Sequence, residues 1–176
     1  GNTFVASATA PNFSYTTNQK TFVNQNVPLI PSTDANRATM IRSSIYGNTM
    51  TLNITAVPSG NYLVWLYVWE DNVSVMYSVS VEGAVVLANY VSGPAGTWRK
   101  LGPYAVSIND GSINVSSSGG HANFSGIEIW NDPNPAGLRQ SGSARFATRA
   151  AESETISNND HPLEAFPNPF STQINI

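Results

Sequence analysis

The sequence has no cysteine, few charges of either sign, no run of basic residues and no long apolar segment. Without cysteine there can be neither a disulfide nor a thiolate metal site, and the redox compartment stays open. Charged residues make up 11% of the chain, against roughly 25% in an ordinary soluble domain. The net charge is −3, and the Lys and Arg residues are scattered. A surface that tracks nucleic-acid phosphates is therefore not expected. No apolar stretch approaches the ~20 residues that a membrane-crossing helix needs. No signal peptide is visible, and the abrupt start at "GNTFVAS" reads as a piece of something larger. Acids are sparse as well: residues 1–130 hold only Asp34, Glu70, Asp71, Glu82, Asp110 and Glu128. Glycoside hydrolysis asks for two carboxyl groups across a cleft. Here Glu82 and Asp110 fall in turns, and Glu70 and Asp71 are neighbours expected to diverge on a strand. No nucleophile-elbow motif accompanies His121. The expectation is a protein without catalytic residues.

What fills the chain instead is Asn, Ser, Thr and Gly mixed with Val, Ile, Tyr and Trp. That blend suits strands joined by polar turns and is poor in helix formers. Short alternating runs predict strands near 3–8, 12–16, 20–23, 38–45, 49–55, 61–70, 74–82, 84–90, 103–108, 111–116 and 123–130. Turn residues separate them, notably Gly83 between two runs and Asp110-Gly111 between "YAVSI" and "SINVS", where positive φ is tolerated. The fold class predicted is all-β, a sandwich or barrel. After Trp130 the apolar content drops, and residues 131–162 read as an extended linker. A last alternating run begins in "LEAFPNPFSTQINI".

One run is unusual. In "NYLVWLYVWED", Tyr62, Val64, Leu66 and Val68 share one face, and Leu63, Trp65, Tyr67 and Trp69 share the other. Residues two apart on a strand face lie ~6.6–6.8 Å apart, so Trp65, Tyr67 and Trp69 have the spacing of a platform along a glycan chain. Such a row on a two-sheet protein is first expected to be covered by the protein itself, by an N-terminal strand or by Leu138 and Phe146 of the tail. Glu128 and Trp130 join this face if Ile127 and Ile129 point inward.

The ordered set "SGNYLVWLYVWED", "YSVSVEGAVV", "GPAGTWRKLGPYAVSINDGSINV" and "ANFSGIEIW" resembles malectin-like and galactose-binding-like carbohydrate-binding modules, similar to families 6, 35 and 57. The resemblance covers residues 4–130. It implies a jelly-roll sandwich of two antiparallel sheets, in residues 1–130, that binds polysaccharide or oligosaccharide without catalysis. In such modules a Trp after a Gly-rich loop and an Asn before the last strand contact sugar; the matching positions are Trp98 and Asn123. His121, Tyr46 and Asn72 are expected nearby. Where malectin has an aromatic pair this chain has Asn72 and Val73, and His121 falls near its acidic ligand contact. The disaccharide preference of malectin therefore does not carry over. The resemblance also implies a structural Ca²⁺, for which Asp34, Glu128 and Asp132 are the carboxylates at hand. "FPNPFSTQINI", residues 166–176, resembles the start of a type IX secretion sorting domain, truncated and spanning 163–176. It implies a secreted or cell-surface protein handled by the type IX machinery, such as an accessory module of a polysaccharide-degrading enzyme. The alternative is a spacer or adhesin without a glycan ligand.

Overall fold

A computed structural model describes residues 12–132 and 172–175; the strand expected at 3–8 and nearly all of the linker lie outside them. The elements run β1 (Phe13–Thr17), β2 (Thr21–Val23), α1 (Ala35–Ile41), β3 (Ser43–Ile54), β4 (Gly60–Trp69), β5 (Met76–Val81), β6 (Ala84–Val91), β7 (Trp98–Ile108), β8 (Ile113–Asn131) and β9 (Thr172–Asn175). Every strand-to-strand pairing is antiparallel. The turns expected at Gly83 and Gly111 are in place, with Glu82 and Gly83 at φ 52° and 74° and Gly111 at 82°.

β3 and β8 run through both layers of the sandwich. In one layer, β1 pairs with the second half of β3, which pairs with Ile113–Ser118 of β8, followed by β5 and β6. In the other, β2 and the first half of β3 meet β8 at Ala122–Phe124, and β8 continues between β4 and β9, with β7 beyond β4. Hydrogen bonding is thus continuous, folded over near Gly119 and Gly120. Gly119 has φ +104°, and a Cβ on Gly120 would stand 2.7 Å from the Met76 carbonyl oxygen, so the fold-over requires glycine there.

The core lies between the layers. Tyr62, Val64, Leu66 and Val68 of β4 all point into it, as the alternation predicts, facing residues such as Leu52, Val79, Val115 and Phe124. Each such side chain contributes about 1.5–3 kcal/mol on burial. Ile127 and Ile129 point inward too.

The strand expected at 38–45 is instead a helix over its first half. Asp34 caps it by accepting a hydrogen bond from the Arg37 amide at 2.9 Å, and Ala38 and Ile41 share the buried face at helical spacing. The helix is what answers the second face of β4. Leu29, Ala38, Met40 and Ile41 close over Trp69, which is 1% exposed. Phe22 stacks on the same indole at 5.8 Å between ring centroids. Ser125, wholly buried, ties the helix end down by donating to the Ile41 carbonyl at 2.7 Å. Self-covering by an N-terminal strand or the tail was expected; among the described residues the cover comes from residues 22–41, with Phe22 of β2 and the helix both contributing, while Leu138 and Phe146 lie outside them.

Along the row the cover thins. Tyr67 lies under Trp98, stacked at 6.4 Å and 18°, and the Trp98 indole donates to the Pro31 carbonyl at 2.6 Å. Trp65 is half-buried, with the Lys100 ammonium 5.1 Å from its ring centroid. The three aromatics therefore do not form one open platform. Glu128 ties this face together: its carboxylate accepts from the Tyr67 hydroxyl at 2.6 Å, from Lys100 at 2.5 Å and from the Trp130 indole at 3.4 Å.

Burial pushes the Glu128 carboxyl up, but the hydrogen bonds from Lys100 and Tyr67 and the Lys100 charge outweigh it and hold the group below its ordinary value. A carboxyl lowered by folding stabilises the protein above its unfolded value of ~4.3 and loses that contribution as pH falls through the folded one. Glu128→Gln is expected to cost about 1–3 kcal/mol at neutral pH and to flatten the loss of stability below about pH 4.5. Urea unfolding of both proteins at pH 7 and pH 3.5 measures this. An equal acid slope in the two would remove Glu128 from the account.

Candidate functional site

The register between β3 and β8 pairs Tyr46 with Asn123, and directly opposed residues present their side chains on one face. Ile45, Ala122 and Phe124 point to the core, so Tyr46 and Asn123 point away from it. His121 lies two residues before Asn123. Phe22 on β2 pairs with Ser44, two before Tyr46, which brings it to the same side. β4 ends at Trp69, and the chain then turns back through residues 70–75 over this face. Between sheet and loop is a cleft of about 320 Å³ lined by Phe22, Tyr46, Glu70, Asp71, Asn72, Val73, Val75, His121 and Asn123.

Four of the five residues expected at a sugar site thus meet: Tyr46, Asn72, His121 and Asn123. Trp98, the fifth and the expected platform, does not line the cleft. It opens β7 opposite Trp69 and caps Tyr67. Aromatic surface in the cleft comes from Phe22 and Tyr46, whose rings meet edge to face at 5.1 Å, and the His121 ring packs against Tyr46 at 6.2 Å. Phe22 carried no motif; only its position beside Tyr46, set by the β2–β3 register, gives it a place. Glu70 and Asp71 were expected to diverge, yet both line the cleft, because β4 stops before them and strand alternation no longer applies.

Glu70 shapes the loop from below. It is 2% exposed. One carboxylate oxygen accepts from the Asn72 amide at 3.1 Å, the other from the Ser92 hydroxyl at 2.7 Å. Ser92, 3% exposed, accepts in turn from the Val75 amide at 2.9 Å. Both ends of the loop are therefore held by one buried carboxylate and one hydroxyl. Asp71 accepts a long hydrogen bond, 3.4 Å, from the Asn123 side chain. Chemically the cleft offers apolar ring faces, an amide that donates and accepts, an imidazole and an acceptor carboxylate, which is the set that pyranose hydroxyls and C–H faces use.

Of the carboxylates considered for Ca²⁺, Asp34 caps α1 and Glu128 accepts from Tyr67, Lys100 and Trp130. Among the described residues no group of three or more His, Asp or Glu is arranged to hold a metal ion.

Known structures share this fold. A crystal structure of Bacteroides uniformis β-glucuronidase superposes with a TM-score of 0.55 at 15% identity, covering 68% of this chain and 14% of that one. Another, of B. uniformis β-glucuronidase 2 covalently bound to cyclophellitol-6-carboxylate aziridine, gives 0.54 at 13% identity over the same shares. This chain therefore spans only 14% of the length of those enzymes, and the likeness is one of fold alone. A CBM35 from Paenibacillus barcinonensis aligns over 69% of this chain and 94% of its own with 16% identity, but at a TM-score of 0.39 it carries no weight. No protein-family model matches the sequence, and no curated protein does.

Replacing Ser92 with Ala leaves a Glu70 oxygen and the Val75 amide without their partner in a buried place. The expected cost is about 1–3 kcal/mol, with hydrogen exchange at the Asn72 and Val75 amides faster than in the native protein while β4 and β5 are unchanged. Unchanged exchange at those two amides would show that the loop is held by other means.

Proposed function

We propose that this is a non-catalytic carbohydrate-binding module whose ligand site is the cleft between the outer face of β3–β8 and the 70–75 loop. The observation that carries the reading is the meeting of Tyr46, Phe22, Asn123, His121 and Asp71 around one cleft of about 320 Å³. A cavity of that size lies at the lower end of the usual range for small-ligand sites, roughly 300–1,000 Å³, and suits one or two sugar rings. The aromatic rings take the C–H faces of the sugar, and Asn123 and Asp71 take its hydroxyls. Affinity per site is modest, since a few hydrogen bonds contribute about 0.5–1.5 kcal/mol each.

The wider setting belongs to the same proposal. The "FPNPFSTQINI" segment supports export to the cell surface or medium through type IX machinery, and a place as accessory module in a polysaccharide-degrading enzyme. The second reading is a spacer or adhesin module without glycan ligand. The covering of Trp69 and Tyr67 by residues 22–41 favours it for the outer face of β4, where the aromatics serve packing.

The test is retention of the whole chain on soluble and insoluble polysaccharides, with variants alongside. Asn123→Ala and Tyr46→Ala are expected to weaken binding about tenfold, from lost hydrogen bonds and stacking. Trp98→Ala is expected to lower thermal stability while retention stays within about twofold, because the indole packs on Tyr67 away from the cleft. Loss of binding in Trp98→Ala with retention in Asn123→Ala would move the site to the β7 side. No retention on any polysaccharide would leave the spacer reading.

A further inference from the structure

The glycan reading of the cleft leaves open which sugars enter it, and the charges around it bear on that. Two of its lining residues are carboxylates, and none is Lys or Arg. Among the described residues the ion pairs are Arg37 with Asp34 and Lys100 with Glu128. Glu70 and Asp71 therefore act on the cleft without a basic partner. Glu70 is almost fully buried, where a charge is screened far less than at an open surface.

Backbone amides are the other common means of holding an anion, and three of those in the loop are taken by its own side chains and Ser92. The Asn72 amide donates to Glu70, the Val73 amide to the Asn72 side chain and the Val75 amide to Ser92. What remains at the mouth is the exposed His121 ring, packed edge-on to Tyr46. Asp71, half-exposed, accepts the long hydrogen bond from Asn123, and its remaining lone pairs can take ligand hydroxyl or ammonium groups.

Resting on the glycan-binding reading, we infer that the cleft selects by charge: it takes sugar rings without an anionic group, amino sugars best and neutral hexoses next, and rejects uronates and sulfated rings. Like charges brought together at a binding site cost enough to lower affinity by about tenfold or more. An ammonium placed near Asp71 gains instead from a charge-assisted hydrogen bond.

The experiment uses the whole chain on an array of glycans matched in linkage and length. Each set holds a neutral member, one with a free amine at C2, one with a carboxylate at C6 and one with a sulfate at C6. Binding is read in EDTA and again with Ca²⁺, for the native protein, Asn123→Ala and Asp71→Asn, after each variant is shown to melt cooperatively. The expected result is binding of neutral and amino members that Asn123→Ala loses. Their uronate partners should bind at least about tenfold more weakly with or without Ca²⁺, and Asp71→Asn should narrow that ratio at least about threefold. Uronate or sulfated members that bind as well as neutral ones, in EDTA or only with Ca²⁺, and are lost in Asn123→Ala, overturn the charge selection and leave the glycan reading standing. No binding to any member, or binding that Asn123→Ala does not touch, overturns the glycan reading and the selection with it.

Discussion

β8 must face the core with its odd-numbered residues at both ends, Ile113 and Val115 at one and Ile127 and Ile129 at the other, while its middle does the opposite. There Ala122 and Phe124 point inward and Asn123 outward. Two register shifts make this possible: Gly119, Gly120 and His121 are taken up opposite a single β3 residue, and Ser125 is skipped in the pairing with β4. The sandwich depends on the first shift, because that is where the strand passes from one layer to the other. The cleft depends on both, because between them Asn123 and His121 face outward beside Tyr46. A strand that kept its phase would have buried Asn123 in the core, where an amide without partners is costly.

The loop across the cleft rests on a different device, a buried carboxylate without a cation. Among the described residues, the cost of taking Glu70 out of water is offset by its hydrogen bonds from the Asn72 amide and the Ser92 hydroxyl, and breaking such a set leaves a poorly compensated charge. The same arrangement fixes the loop and sets the sign of the field in the cleft. Glu70 thus stiffens the wall and, with Asp71, makes the charge at the cleft negative.

The outer face of the second layer shows how local cover decides the use of an aromatic. Trp69, Tyr67 and Trp65 alternate identically on one strand, yet the first is closed under α1 and Phe22, the second lies beneath Trp98, and the third borders solvent beside Lys100. Gly96 helps hold that cover in place: its φ is +85°, and a Cβ there would stand 2.0 Å from the Pro28 carbonyl oxygen. The segment that bears the cover can approach β7 so closely only against glycine.

Much of this was legible in the chain. Alternation in "NYLVWLYVW" assigned the inward and outward faces of β4 correctly, since period two is a property of the extended backbone and needs no partner. The turns at Gly83 and Asp110-Gly111 followed from which residues accept positive φ. The all-β class followed from the short alternating runs and the turn residues between them. The helix at Ala35–Ile41 was hidden because seven residues make too short a period, although Asp34 and the Ala38/Ile41 spacing mark it in retrospect. Tyr46, Asn72, His121 and Asn123 come together at one cleft, but Trp98 does not join them. Which face an aromatic or an amide presents after a bulge, and what lies over it, is set by cross-strand register and by distant segments such as residues 22–41. Those are long-range facts, paid out in packing between residues far apart in sequence, so the tertiary structure alone decided them.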